Sequence, residues 1–356
     1  MKIAISTGGG DAPGLNAVIR GAVLSAVNRG WQCVGIRRGF GGLLGEDLLV
    51  PLGANEVRGI THLGGTILGT TNRGDPFKWR EQRPDGSWVE RDRSDELVTA
   101  FRAHELDALI VIGGDGSLDI ARRLMAKGVP IVGVPKTIDN DVGGTVATFG
   151  FDTAVSTATD AIDKLHSTAE SHERVMVVEV MGRNAGFIAL HSGIAATADV
   201  ILIPEIPFDI AKVCDKVRRR EAQGRHFSIV VVAEGASPKG GTESYLDPER
   251  RRLGGIAEKV AGAIEQITGK ETRSLVLGHL QRGGSPTTFD RLLGLRFGAA
   301  AVRLIAVGNL GTMVALQPPD VVPVAIDLAL STPRRVSIDS DVIATGRELG
   351  ISFGDQ

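Results

Sequence analysis

Three loops rich in glycine and aspartate hold the residues most able to do chemistry. The first, GGGDAPGLN at residues 8–16, could bring bare backbone amides and a helix N-terminus close to an anion. The second, GGDGS at residues 113–117, places Asp115 inside a glycine cradle. Because a carboxylate repels phosphate unless a divalent cation lies between them, Asp115 is predicted to bind Mg²⁺. A helix cap without any ligand is the alternative for Asp115.

The third loop, PKTIDND at residues 135–141, combines one cation with two carboxylates. Asp139 and Asp141 stand two residues apart, which suits a general base with a neighbour that orients it or links it to a metal. Ordinary turn chemistry is the alternative. Taken together, the three loops predict phosphoryl transfer, in which glycines admit phosphates, a metal bridges them and a base takes a hydroxyl proton.

Two widespread phosphate motifs do not fit this sequence. The pattern G-x-G-x-x-G, counted from Gly8, fails at Pro13, and the acidic residue about 20 positions later is missing. No glycine precedes Lys136 as G-x-x-x-x-G-K-[ST] requires. A dinucleotide site and a Walker-type NTPase are therefore disfavoured.

Alternating strands and helices are predicted to position these loops. A helix over residues 15–29, with one apolar face, ends at Gly30. Buried strands, short and rich in β-branched residues, are predicted at residues 2–6, 108–112, 131–134, 175–180, 200–203, 228–233 and 274–278. Such alternation indicates an α/β fold with parallel sheets, whose ligands bind at the carboxyl ends of strands.

Composition limits the classes of protein that fit. A length of 356 residues predicts two or three domains, and a net charge of -2 gives no sign of a nucleic-acid or membrane partner, so an anion site must be local. Cys33 and Cys214 cannot form a disulfide framework and are expected to fill apolar space in a reducing compartment. Without a signal peptide or an apolar run of ~20 residues, a cytoplasmic location is expected. The 47 glycines favour many tight loops.

Two segments lie outside the alternating pattern. Residues 75–95 are polar and read as a surface insertion, with a hairpin that turns at Asp85 and Gly86. Residues 333–356 contain no motif and are expected to add one more helix or strand to the body.

Five linked motifs resemble the 6-phosphofructokinase family, in the family's order, over residues 1–330. They are residues 9–16, 113–117 and 135–141, MGR at 181–183 and GHLQRGG at 278–284. The resemblance implies two Rossmann-like three-layer α/β domains with largely parallel sheets and an active site in the cleft between them. A larger phosphate-donor domain would comprise residues 1–150 and 281–331, and a smaller fructose 6-phosphate domain residues 151–280 and 332–356.

The resemblance also implies roles for single residues. Asp139 would take the proton from the sugar 1-hydroxyl, Thr137 would contact the transferring group, and Arg183 would offset the charge that grows on it. The donor site would include Gly9, Arg73, Gly114, Asp115, Gly116 and Ser117, with Asp115 as the Mg²⁺ ligand. The sugar site would include Ile138, Arg174, Met181, Gly182, Glu234, Arg273, His279, Leu280, Gln281 and Arg282, in addition to Thr137, Asp139 and Arg183.

Within that sugar site, Glu234 would bind sugar hydroxyls, and the cations would bind the sugar phosphate. Arg174 and Arg273 would reach in from a neighbouring subunit, which implies a homodimer or homotetramer with shared active sites. The implied activity is transfer of the γ-phosphoryl group of ATP to fructose 6-phosphate, a glycolytic kinase reaction.

The identity of the donor depends on Gly116 and Lys136. Pyrophosphate-dependent members of the family resemble one another in carrying Asp and Lys at these positions, whereas common ATP-dependent members carry Gly at both. Because an Asp at 116 would crowd and repel an α-phosphate, Gly116 favours ATP, and a pyrophosphate-dependent phosphotransferase is the alternative. A different small-molecule kinase, such as an NAD or lipid kinase, is disfavoured because it would not require the motifs at 181–183 and 278–284. Intact Asp115, Asp139 and Arg183 argue against a non-catalytic relative.

Regulation is predicted to be weak. Bacterial allosteric members of the family bind ADP or phosphoenolpyruvate through basic residues between subunits. Arg20 and Arg225 match that cluster, but Leu24 and His166 stand where it has arginines. Loss of cations predicts a poor or altered response to these effectors.

Overall fold

A computed structural model describes residues 1–45, 48–247 and 252–356. Contacts divide the chain into two compact units. The first comprises Met1–Thr137, Val142–Asp152 and Arg282–Pro333, and the second comprises Ile138–Asp141, Thr153–Gln281 and Arg334–Gln356. No helix in the described ranges is long and apolar enough to cross a membrane.

Strands and helices alternate along most of the chain. The strands are β1 (Lys2–Thr7), β2 (Gln32–Ile36), β3 (Leu49–Leu52), β4 (Trp79–Gln82), β5 (Trp88–Arg91), β6 (Ala108–Gly113), β7 (Ile131–Pro135), β8 (Val175–Val180), β9 (Val200–Leu202), β10 (Ser228–Ala233), β11 (Tyr245–Asp247), β12 (Arg252–Leu253), β13 (Thr272–Val276), β14 (Thr312–Gln317) and β15 (Asp320–Ala325). The helices are α1 (Leu15–Val27), α2 (Ser94–Ala103), α3 (Asp115–Met125), α4 (Phe151–His172), α5 (Phe187–Ala195), α6 (Ile210–Ala222), α7 (Ile256–Thr268), α8 (Thr288–Ala306), α9 (Ile326–Ser331) and α10 (Asp341–Glu348), with short 3-10 helices at Gly39–Leu43 and Gly278–Arg282.

The first unit is built on a sheet whose described strands follow the order β15-β14-β7-β6-β1-β2-β3. The strands from β14 to β2 run parallel, and β3 and β15 pair antiparallel at the two edges. Side chains of β1 alternate between two apolar layers, with Ile3 and Ile5 on one face and Ala4 on the other. Helices α1 and α8 cover the first face, and α2 and α3 cover the second. A sheet buried on both faces explains the continuous β-branched runs.

Helices α1 and α8 pack closely because glycines remove side chains at their crossing. A Cβ atom at Gly298 would clash with the Val18 carbonyl oxygen, and one at Gly294 would lie 3.0 Å from the Gly14 carbonyl oxygen. Part of the glycine excess therefore serves helix packing, a use that the sequence reasoning did not foresee.

The second unit contains a parallel sheet of order β13-β8-β10-β9. Helices α6 and α7 bury apolar residues against one face, where Val213 and Val260 share an apolar cluster with Val177. Helix α5 covers the other face, where Gly193 lies against Ile201 and Val231. The predicted α/β fold with largely parallel sheets is confirmed.

The two unusual segments are also as predicted. Strands β4 and β5 form an antiparallel hairpin, and Gly86 turns it in the left-handed region with φ +83°. The tail supplies α10, and Ser352 bridges to Val200 at the edge of the second sheet. Both cysteines are buried, and burial raises the pKa of the Cys33 thiol to about 12.

Candidate active site

The first two glycine loops meet in the first unit because β1 and β6 are neighbouring strands. The Gly8 N–H donates to the Ile112 carbonyl oxygen at 2.9 Å. The buried Ser117 hydroxyl lies between the loops, so that a Cβ atom at Gly8 or at Gly113 would come within 2.6 Å of its oxygen. Both positions must therefore lack a side chain, and Ser117 fixes the spacing of the loops.

A segment at residues 64–73 closes over the first loop. Buried Asn16 holds this segment, since its side-chain oxygen accepts from the Ile67 N–H at 2.9 Å and its side-chain nitrogen donates to the Gly64 carbonyl oxygen at 3.2 Å. The Gly9 N–H donates to the Thr71 carbonyl oxygen at 3.1 Å. Gly9 thus offers a left-handed backbone, φ +77°, and no side chain, rather than an amide directed at an anion.

The role of Asn16 as an anchor was not predicted. Asn16 lies in the first motif, but a single sequence gives no sign of which distant carbonyl oxygens its amide would reach. Arg73, at the end of the anchored segment, is exposed.

Asp115 and Gly116 begin α3 at the end of β6. Gly114, not Asp115, occupies the cap position and makes no side-chain cap bond, so the cap alternative for Asp115 is wrong. Asp115 and Gly116 are both exposed. Apart from its chain neighbours and the backbone of its own helix, no described atom lies within 4 Å of a Cβ placed on Gly116.

A single exposed carboxylate fits Mg²⁺. This ion commonly binds proteins through one or two carboxylates and takes its other ligands from substrate phosphates and water. Elsewhere in the described ranges, no group of three or more His, Cys, Asp or Glu side chains is gathered for a metal.

Two cations border the first glycine loop. Lys136 is only 4% exposed, and its ammonium donates to the Gly10 carbonyl oxygen. Arg282 donates from Nη1 to the Asp11 carbonyl oxygen at 3.2 Å. Arg282, which the resemblance assigns to the sugar site, therefore contacts the first glycine loop through its side chain. Thr137 is buried beside Lys136.

In the second unit, the proposed base lies in a buried turn. Ile138 is fully buried, Asp139 is 3% exposed and Asn140 is 4% exposed. Asn140 has φ +56°, in the left-handed region, which asparagine tolerates better than most residues. The turn presents a carboxylate that is largely removed from water.

The MGR motif forms a strained turn that two polar side chains support. Arg183 has φ +51°, a conformation that costs a non-glycine residue about 1–3 kcal/mol. Its N–H donates to Glu234 Oε1 at 3.0 Å, and the Met181 N–H donates to the Oε1 of buried Gln281 at 2.9 Å. A Cβ atom at Gly235 would clash with the Arg183 carbonyl oxygen.

Glu234 is electrostatically linked to Asp139, the predicted base. Burial raises the pKa of Glu234 and the charge of Asp139 adds to this rise, while the hydrogen bond from the Arg183 N–H opposes it. A carboxylate with a raised pKa beside a second carboxylate is typical of sites that handle protons and hydroxyl groups. The structure thus brings Asp139, Arg183 and Glu234 into one network.

Two arginines of the predicted sugar site lie near the edge strand β13. Arg174 forms an ion pair with Glu271 at 2.8 Å, and Arg273 pairs with the same carboxylate. Arg273 is exposed, as are His279 and Leu280.

Parallel α/β units that carry glycine loops and buried acid–base groups at strand ends are typical of enzymes that act on phosphate compounds. The family model of phosphofructokinase matches residues 2–305. The chain therefore belongs to the phosphofructokinase family, and the prediction made from its motifs is confirmed. Members of this family are phosphotransferases that act on a sugar hydroxyl.

Two relatives and one solved structure illustrate the match. The chain is 54% identical over 359 residues to the ATP-dependent 6-phosphofructokinase of Chloroflexus aggregans. That alignment covers 100% of this chain and 98% of the relative. It is 49% identical over 345 residues to the pyrophosphate–fructose 6-phosphate 1-phosphotransferase of Amycolatopsis mediterranei, covering 95% and 97%. Phosphofructokinase from Pichia pastoris superposes with a TM-score of 0.79 at 32% identity, over 93% of this chain and 35% of that longer one.

Proposed function

We propose that this protein is an ATP-dependent 6-phosphofructokinase. It transfers the γ-phosphoryl group of ATP to the 1-hydroxyl of fructose 6-phosphate, which yields fructose 1,6-bisphosphate and ADP, and it acts in cytoplasmic glycolysis. The observation that carries the proposal is the start of α3, where exposed Asp115 and the open space at Gly116 adjoin two glycine loops. The name of the relative from Chloroflexus aggregans supports the same activity.

Residues of the first unit would bind the donor. Glycine loops let backbone approach phosphate oxygens, and Lys136 brings positive charge to Gly10. Gly9, Arg73, Gly114 and Ser117 would complete this site. Asp115 would hold Mg²⁺, which would supply positive charge to neutralise the phosphates of the donor.

Residues of the second unit would bind the sugar that receives the phosphoryl group and would take up the proton of its hydroxyl. Asp139 would accept the proton of the sugar 1-hydroxyl as its oxygen attacks the γ-phosphorus. The Arg183 guanidinium would offset the growing negative charge, and a fixed donor of this kind can contribute more than ~10²-fold to a rate. Thr137, which the division of the chain assigns to the first unit, would contact the transferring group.

Several groups would hold the sugar phosphate and the sugar ring. Glu234 would accept hydrogen bonds from sugar hydroxyls, while Arg174 and Arg273 would act on the active site of a neighbouring copy. The chain would then work as a homodimer or homotetramer, which the exposed position of Arg273 on an edge strand supports. The remaining contacts would come from Ile138, Met181, Gly182, His279, Leu280, Gln281 and Arg282.

Pyrophosphate is the alternative donor. Lys136 beside the first glycine loop and the name of the relative from Amycolatopsis mediterranei favour it. The open space at Gly116 favours ATP, because the nucleotide portion needs room that pyrophosphate does not use.

Two alternative substitutions of Gly116 test whether the space at this position admits ATP. A coupled assay would follow fructose 1,6-bisphosphate formation from ATP, Mg²⁺ and fructose 6-phosphate in the wild type, Gly116→Ala and Gly116→Asp. We expect turnover by the wild type and by the alanine variant, and a large increase in the KM for ATP in the aspartate variant. A wild type that forms no bisphosphate from ATP would refute the proposed activity.

A further inference from the structure

Residues 334–336, in the second unit, contact the turn that carries the proposed base. The Arg334 N–H donates to the Asp141 carbonyl oxygen at 2.8 Å, and its guanidinium Nη1 donates to the Asn140 carbonyl oxygen at 3.3 Å. The two carbonyl oxygens belong to the first and second residues after Asp139. The backbone and the side chain of one residue therefore hold the same turn.

On its other side, the segment is tied to the start of α5, which directly follows the turn of Arg183. The Val336 N–H donates to Glu205 Oε1 at 2.9 Å. The Glu205 carboxylate also accepts from the Gly186 N–H, at 3.1 Å for each of its oxygens. Gly186 lies three residues after Arg183, at the N-terminus of α5. Residues 334–336 thus link two turns that are 44 positions apart in sequence.

The Arg334 guanidinium is built into this link. Its central carbon lies 5.1 Å from the centroid of the Phe187 ring, the first residue of α5. Burial lowers the pKa of Arg334 and the charge of Asp141 opposes this change. A cation that is partly removed from water is stabilised where hydrogen-bond acceptors, countercharge or an aromatic face meet it, and here those groups belong to the proposed base turn and to α5.

We propose that Arg334 is a positioning residue, which fixes the turn of Asp139 relative to the turn of Arg183. This inference rests on the proposed function, because it assumes that Asp139 is the base and that Arg183 stabilises charge. Transfer requires both groups to keep one geometry around the reacting oxygen. A shift of about 1 Å in such a geometry can lower a rate by roughly 10²-fold.

The test compares two neighbouring arginines. Arg334→Ala should lower kcat about tenfold to a hundredfold while the KM for ATP changes little, because the donor groups of the first unit are untouched. Arg335→Ala, at the exposed neighbouring position, should keep the kcat of the wild type. Guanidinium chloride at non-denaturing concentration should restore part of the kcat of Arg334→Ala, whereas sodium chloride at equal ionic strength should not. A purely structural role would not give this rescue.

The outcomes separate the inference from the proposed function. A wild type without kinase activity contradicts the function, whereas an active wild type with equal kcat in Arg334→Ala and Arg335→Ala overturns only the positioning role. If Arg334→Ala does not fold, Arg334→Met keeps the aliphatic stem and carries the same expected loss and rescue. Wild-type kcat in Arg334→Met, loss without rescue, or failure of both variants to fold would each overturn the inference.

Discussion

At the scale of single residues, the proposed base Asp139 would bear most of the chemistry. Its carboxyl group is buried in a turn that Asn140 closes in the left-handed region. Asp139→Ala should lower kcat by about 10²- to 10⁴-fold, the usual contribution of a general base, with a modest change in the KM of either substrate. Steady-state kinetics in the coupled assay provide the measurement. An unchanged kcat would remove Asp139 from the role of base.

Glu234 is expected to make the binding of fructose 6-phosphate depend on pH. Because burial and Asp139 raise the pKa of Glu234, this carboxyl takes up a proton at a higher pH than an exposed glutamic acid does. The neutral acid accepts hydrogen bonds from sugar hydroxyls less well than the carboxylate does. The KM for fructose 6-phosphate should therefore rise as the pH falls through this raised pKa.

Glu234→Gln is the matched variant, since it keeps the shape of the side chain but cannot titrate. Its KM for fructose 6-phosphate should be higher than that of the wild type near neutral pH. The ratio of the two KM values should fall towards one as the pH is lowered, and titration of the substrate phosphate cancels in that ratio. A ratio that stays constant across the pH range would argue against sugar binding by Glu234.

At the scale of elements, the crossing of α1 and α8 depends on missing side chains. Gly298→Ala should lower the melting temperature, because overpacking costs about 1–3 kcal/mol and exceeds the gain in helix propensity. Gly262→Ala is the control, since Gly262 lies exposed in α7 with no described atom near its Cβ position. Thermal unfolding should show a rise or no change for this variant. Equal effects of the two substitutions would contradict the close approach of the helices.

Burial on two faces made the strands β1, β6, β7, β8, β9 and β10 predictable, whereas β2, β3, β14 and β15 of the first sheet were not predicted. Continuous β-branched runs predicted β8 and β10 with their observed bounds. The last predicted strand, at 274–278, lies two residues late relative to β13 (Thr272–Val276), because polar Thr272 and Arg273 belong to an exposed edge strand. Contacts between distant segments, such as Asn16 with Ile67 and Glu205 with Val336, follow from tertiary packing. Local periodicity carries no information about them.

At the scale of the whole molecule, regulation is expected to be weak. Of the two positions where the resemblance expects arginine, Leu24 packs on the apolar core of the first unit. The Nε2 of His166 lies 2.8 Å from the Ala196 carbonyl oxygen, and its ring packs nearly perpendicular to the ring of Phe227. Neither side chain supplies the fixed cation that an anionic effector requires. Titration of phosphoenolpyruvate against initial rate should give little inhibition, and strong sigmoidal inhibition would contradict this prediction.

The central claim about the whole molecule is that ATP is the phosphoryl donor. The ratio of kcat/KM with ATP to kcat/KM with pyrophosphate tests it most directly. The kcat/KM of the wild-type protein would be measured with ATP and with pyrophosphate, at saturating fructose 6-phosphate and Mg²⁺. The open space at Gly116 predicts a ratio that strongly favours ATP. Turnover with pyrophosphate but not with ATP would contradict the account and identify Lys136, rather than Gly116, as the residue that indicates the donor.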